Sequence, residues 1–210
     1  MDPQGLKPNF YGISGGTTEV VPFQRTIYAT SFRDNRRDMQ AAKDSFYMAL
    51  RSRLTVLNPA RTMVIDGVAV PAIVVRENME PRFGEAQAGA FYVDFGDILI
   101  AESTRPMLGV DCHIWYASEG SGGTGVDRGR VLAEMDDELL GICDPPHTEM
   151  LDYSQTPSVD LGSGIFWTVP VMGNAPGDVP VDKQQWSANA GRVDRYAQLR
   201  IYFFLPEVEA

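Results

Sequence analysis

Cysteine and histidine are scarce in this chain, with two of each among 210 residues. Cys112 and Cys143 both fall in apolar-patterned segments, so they read as buried thiols of a reducing compartment and not as a stapling framework. The possible metal ligands are Cys112, His113, Cys143 and His147. Zinc needs convergent ligands in tetrahedral arrangement. Cys112 and His113 are neighbours on an expected strand and point to opposite faces, while Cys143 and His147 straddle Pro145-Pro146. No metal is expected. A nucleophile needs a base beside it, and His113 and His147 are the only histidines. One is expected mid-strand and the other in a Pro-rich loop. No G-x-S-x-G elbow occurs. Asp136, Asp137 and Glu138 are consecutive on an expected helix, so they fan around it. No catalytic residues and no cofactor-binding residues are expected.

Long apolar runs are also missing. No stretch approaches the length of a membrane-spanning helix, and Met1-Asp2-Pro3-Gln4-Gly5 has neither the basic region nor the apolar core of a secretory signal. Positive charge is in deficit: 18 Lys and Arg stand against 28 Asp and Glu, for a net charge of −10. Affinity for a phosphate backbone is built from Lys and Arg contacts. A sequence-reading nucleic-acid binder is therefore disfavoured, as is adhesion to an anionic membrane.

What remains is ordinary globular composition, 44% hydrophobic and 22% charged, in a chain long enough to bury a full core. Residues 1–33 are rich in Gly, Pro, Thr and Asn and read as an extended N-terminal arm. Residues 34–210 read as a single α+β domain. A first helix is expected from Asp34 or Asn35, with Met39, Ala42, Phe46, Ala49, Leu50 and Leu54 as its apolar stripe and Asn58-Pro59 as its stop. Thr62–Ile65 then meets Asp66-Gly67, a two-residue hairpin signal. The expected return strand runs over 68–75, with Pro71 marking an edge or bulge. Strands are expected over 90–101 and over Met107–Tyr116, where Val110, Cys112, Ile114 and Tyr116 alternate with Asp111, His113 and Trp115.

A second helix is expected over Asp127–Cys143, with Val131, Met135, Leu139 and Ile142 on its apolar face, supported by Leu132 and Leu140. Residues 145–162 read as loop, 165–169 as a strand, 173–195 as a long polar excursion and 196–205 as the last strand. Helix, four strands, helix and two strands without βαβ alternation imply α+β with a mostly antiparallel sheet. Phe166, Trp167, Tyr202, Phe203 and Phe204 read as core or interface.

The sharpest motif is Gly120-Ser121-Gly122-Gly123-Thr124-Gly125, which matches G-x-G-x-x-G between a strand and a helix, with Asp144 some way on. Against a dinucleotide site, Ser118-Glu119 separates the expected strand from the first glycine. Asp127 and Arg128 open the helix where small residues usually pack, and no parallel strand follows promptly.

The succession Phe46–Leu54 on a helix, Val64-Ile65-Asp66-Gly67, Val110–Ala117, a glycine loop, Arg128–Met135, and a final strand over Ala197–Leu205 resembles the tail terminator (tail completion) proteins of tailed bacteriophages. The resemblance covers roughly residues 38–143 and 163–205. It implies a structural virion protein without catalysis, assembled in the host cytoplasm and located in the tail or neck. Its subunits would form a homohexameric ring that ends the tail tube. Implied partners are further copies of itself, the tail tube protein, and a head–tail connector or stopper. DNA would pass through the lumen without sequence-specific binding. Closed rings need two complementary surfaces per subunit, and the edge around Pro71, the arm 1–33 and the excursion 173–195 are the candidates. The alternatives are another neck or tail-tube component, or a small nucleotide-binding protein using residues 120–125.

Overall fold

A computed structural model describes residues 28–76, 87–101, 107–120, 126–174 and 192–204. The first helix, α1, spans Tyr28–Leu57. It begins before the expected start at Asp34 or Asn35, because no Pro or Gly interrupts residues 28–57 and a capping residue inside a helix does not stop it. Residues 28–33 of the expected arm are therefore helical, and 1–27 lie outside the described residues. Ala42, Phe46, Leu50 and Leu54 are fully buried along one stripe, as the periodicity anticipates.

After α1 comes a hairpin, β1 (Thr62–Ile65) and β2 (Val68–Pro71). Asp66 and Gly67 take φ of 51° and 80°. Two successive left-handed residues make the turn whose twist matches the strands. β1 pairs only with β2, as a separate two-stranded sheet. The return strand expected over 68–75 is broken at Ala72. Ile73–Val75 forms β3, which leaves the hairpin and pairs parallel with β4 (Phe91–Ala101). Pro71, lacking an N–H, falls at the break.

β5 spans Met107–Glu119, α2 Val126–Cys143, β6 His147–Asp152, β7 Val159–Trp167, β8 Val171–Asn174 and β9 Arg192–Phe204. The large sheet runs β3-β4-β5-β9-β7-β6, with β8 paired to β9 beyond the end of β7. All of its pairings except β3–β4 are antiparallel. The architecture is α+β, and among the described residues the order is helix, five strands, helix, four strands.

Three expectations need correction. Of the expected loop at 145–162, residues 147–152 and 159–162 are strand, in β6 and at the start of β7, while 153–158 connect them. In β6 the inward positions are Met150 and Asp152, and a carboxylate at a core position hides the alternation. β8 was not anticipated at all, and of the excursion at 173–195 it takes 173–174 while β9 takes 192–195. Residues 175–191 lie outside the described residues.

Both helices pack on one face of the sheet. Val110, Cys112, Ile114, Tyr116, Ala197, Leu199, Ile201 and Phe203 meet Phe46, Leu50, Leu54, Leu132, Met135, Leu139 and Ile142 in one cluster. In α2 it is Leu132, not Val131, that is buried, and Leu140 stays exposed. At the centre the Phe46 ring meets Trp167 edge-on at 5.1 Å and Phe95 at 6.5 Å, a geometry that adds to area burial.

Polar side chains on α1 and α2 hold this assembly in register. Ser45 Oγ donates to Leu151 O and accepts from Leu151 N at 2.9 Å, which ties α1 to the outermost strand β6. Tyr47 Oη donates to Ile73 O at 3.2 Å on the opposite outer strand, β3. One helix thus bonds to backbone on both outer strands of the sheet. Arg53 donates to the carbonyls of Ile142, Pro145 and His147 at 3.1, 2.8 and 2.9 Å. The first of these is an orphan acceptor at the C-terminus of α2.

Candidate functional site

The face of the sheet opposite the helices follows directly from period two. Across β4, β5, β9 and β7 it presents Tyr92, Trp115 and Tyr196 in one row, Asp94, His113 and Gln198 in the next, and then Asp111 and Arg200. Gly109, Tyr202 and Phe166 follow. No described helix covers it, and Trp115, His113, Tyr196, Arg200, Tyr202, Phe166 and Phe204 are all half-buried. The rings cover one another instead. Trp115 and Tyr196 sit at 4.5 Å, His113 and Tyr196 at 5.2 Å, and Phe166 and Tyr202 at 5.3 Å. Tyr202 also lies over Gly109, whose added Cβ would stand 3.2 Å from its ring. An aromatic across from a strand glycine shields backbone that has no side chain of its own. Arg200 Nε donates to Asp111 at 2.6 Å, and the Arg76 guanidinium stacks over Tyr92 at 4.5 Å. The result is a broad aromatic surface with its charges paired, suited to contact with another protein surface.

At one end of this face stands the hairpin. Met63 and Val70 pack inward on Ala72, Ala90, Tyr92, Val74 and Trp115. On its other face Val64 is 65% exposed, while Val68, on the face of Met63 and Val70 but beside the turn, is 61% exposed. At the far end, beyond β9, Val169 and Val171 are 68% and 73% exposed.

The residues weighed for chemistry are dispersed. Cys112 lies in the core and His113 on the opposite face; Cys143 is buried and His147 exposed. Burial pushes the Cys112 thiol well up, helped by the nearby Cys143, and raises Cys143 to about 12 against the pull of Arg53. Neither thiol supplies a thiolate near neutral pH. Among the described residues no three His, Cys, Asp or Glu side chains group to hold a metal. No described helix is long and apolar enough to cross a membrane.

The carboxylates of α2 do fan out as the sequence implies, but two of them do more than face solvent. Asp136 accepts from Tyr116 Oη at 2.6 Å and from Arg195 at 2.8 Å, which binds α2 to β5 and β9. Burial and then that hydrogen bond raise the Tyr116 phenol. Glu138 pairs with Arg61 and accepts from Asn58, fastening the base of the hairpin to α2. Arg61 also donates to Gly89 O at 3.1 Å. A helical i to i+2 spacing and a distant arginine carry no local signal of such bonds.

Of the glycine motif only Gly120 is described. β5 runs on to Glu119, so Ser118-Glu119 is strand and not the spacer the sequence suggests. The topology nevertheless departs from a dinucleotide fold. β5 is antiparallel to both β4 and β9, and the strand after α2 lies at the far edge, where a phosphate-cradling βαβ unit needs a parallel return.

No protein-family model matches the chain, and no curated protein sequence matches it significantly. Among solved structures, a chain from the virion of a native gene transfer agent particle overlaps 77% of this chain and 93% of its own length. The two share 15% identity with a TM-score of 0.33. That score describes a partial overlap of elements, and no role is carried over from it.

Proposed function

We propose that the chain is a structural virion protein of the tailed-phage type. In this reading it assembles with copies of itself into a ring that ends the tail tube and joins it to the head or neck. The observation that carries the reading is the aromatic sheet face that no described helix covers, with the β1–β2 hairpin packed at one end and the exposed Val169 and Val171 at the other. Such surfaces suit contact with protein, and a subunit with different contact surfaces on two sides is what a cyclic oligomer requires. The partners would be the tail tube protein on one side and a connector or stopper on the other. A net charge of −10 suits a conduit along which DNA slides without being gripped.

Negative-stain imaging of the concentrated full chain tests the reading. Rings with an open centre are expected. Fields of single particles of protomer size, with no ring at any concentration, would overturn it. The nucleotide-binding alternative meets the antiparallel surroundings of β5 described above, and no observation favours it.

A further inference from the structure

We propose that Asp66-Gly67, the turn of the β1–β2 hairpin, is a site of spontaneous covalent modification, where the aspartate converts to isoaspartate through a cyclic imide. The inference does not depend on the self-assembly reading.

The chemistry is intramolecular. The Gly67 backbone nitrogen attacks the side-chain carboxyl carbon of Asp66. A C–N bond forms, and the amide proton leaves with the carboxyl hydroxyl as water. Water then adds back to either carbonyl of the succinimide ring. Addition at the main-chain carbonyl breaks its bond to nitrogen, so the backbone now runs through the side-chain carbon. Addition at the other carbonyl restores aspartate. The water released equals the water consumed, and nothing is oxidised or reduced.

The sequence singles out this pair. A side chain on the following residue hinders ring closure, and Asp66-Gly67 is the one Asp-Gly step in the chain, which holds no Asn-Gly. The structure leaves the pair open. Both residues are exposed, and a Cβ added at Gly67 would meet nothing within 4 Å. The ladder ends at the flanking pair Ile65 and Val68, so the Gly67 N–H carries no ladder bond. Among the described residues Asp66 is also the one non-glycine with positive φ, at 51°, a conformation that L residues adopt at a cost.

Ring closure needs the backbone of the turn to rotate, so it proceeds from an opened hairpin. That opening is accessible here. The hairpin is a separate two-stranded sheet, marginal by itself, and Met63 and Val70 anchor one face. Opening such a unit costs less than unfolding the domain. Isoaspartate would then add a backbone carbon to a two-residue loop. Loop length sets register, so the pairing of Met63 with Val70 would be lost.

Peptide mapping of the full chain tests this. The protein is held for weeks at neutral pH and digested with trypsin, which releases residues 62–76 between Arg61 and Arg76. Electron-transfer fragmentation tells isoaspartate from aspartate. Isoaspartate is expected at position 66 in clear excess over every other aspartate, and at no level there in Asp66→Glu. Val70→Ala removes one anchor and should speed the reaction several-fold, with circular dichroism checking its fold. A chain unfolded in urea shows the unrestrained rate. Isoaspartate at 66 in the unfolded chain but not in the folded one would mean that the turn protects the pair, and overturns the proposal. A Val70→Ala rate equal to wild type overturns the route through hairpin opening.

Discussion

Replacing Arg53 with alanine removes one guanidinium that bonds three carbonyls at the junction of α2 and β6 and stacks 5.2 Å from the Trp167 ring. The part-buried bond to Ile142 O belongs near the low end of the about 1.5–3 kcal/mol typical of charged donors. The two exposed bonds contribute about 0.5 kcal/mol each, and the stacking about 0.5–1 kcal/mol. Together these give a loss of about 3 kcal/mol, against a total stability of about 5–15 kcal/mol for a domain. For a chain of this length that corresponds to a fall in Tm of roughly 6–12 °C. Urea unfolding followed by tryptophan fluorescence measures it, and Trp167 also reports locally through its emission. Arg53→Lys keeps the charge but not the fork, so it should recover only part of the loss. Arg51→Ala, on the same helix, should stay within about 0.5 kcal/mol of wild type. An Arg53→Ala variant as stable as Arg51→Ala would refute the role assigned to this side chain.

Further outcomes follow from the same contacts. Phe46→Ala empties the centre of the core where three aromatic rings meet, and should cost about 3–5 kcal/mol in urea unfolding. Asp152 is 3% exposed and accepts from Arg37, Gln155 and both the N–H and Oγ of Ser154, which hold its carboxyl well below the usual carboxylate range. Because the folded value is depressed, its contribution is present above the unfolded value of about 3.9 and disappears as pH falls below it. Asp152→Asn should therefore be less stable than wild type at neutral pH, with the gap narrowing below about pH 4; a constant gap would contradict the assignment. Val64→Asp puts a charge on an exposed hairpin face, so thermal unfolding should shift by no more than about 0.5 kcal/mol in stability, while oligomers seen by sizing should be lost.

Much of the fold was legible from periodicity. The α1 stripe and the alternation through Val110, Cys112, Ile114 and Tyr116 both point at the core, and Asp66-Gly67 marks its turn. These signals work because one face is dry and the other wet. They fail where a polar side chain sits inside. Asp152 hides β6, and the thin apolar content of residues 159–164 hides the start of β7. The half-buried aromatic face was partly visible: Trp115 and His113 fall on it by alternation. The grouping of Tyr92, Trp115 and Tyr196 depends on strand order, which one sequence does not spell out. The same holds for Ser45 and Tyr47, whose bonds to β6 and β3 exist only once the sheet has closed under α1.

Light scattering behind a sizing column, across a wide range of protein concentration, tests the claim of self-assembly most directly. A discrete species of about six protomers, each of 23.2 kDa, is the expected result. A monomer at every concentration up to the solubility limit would contradict it.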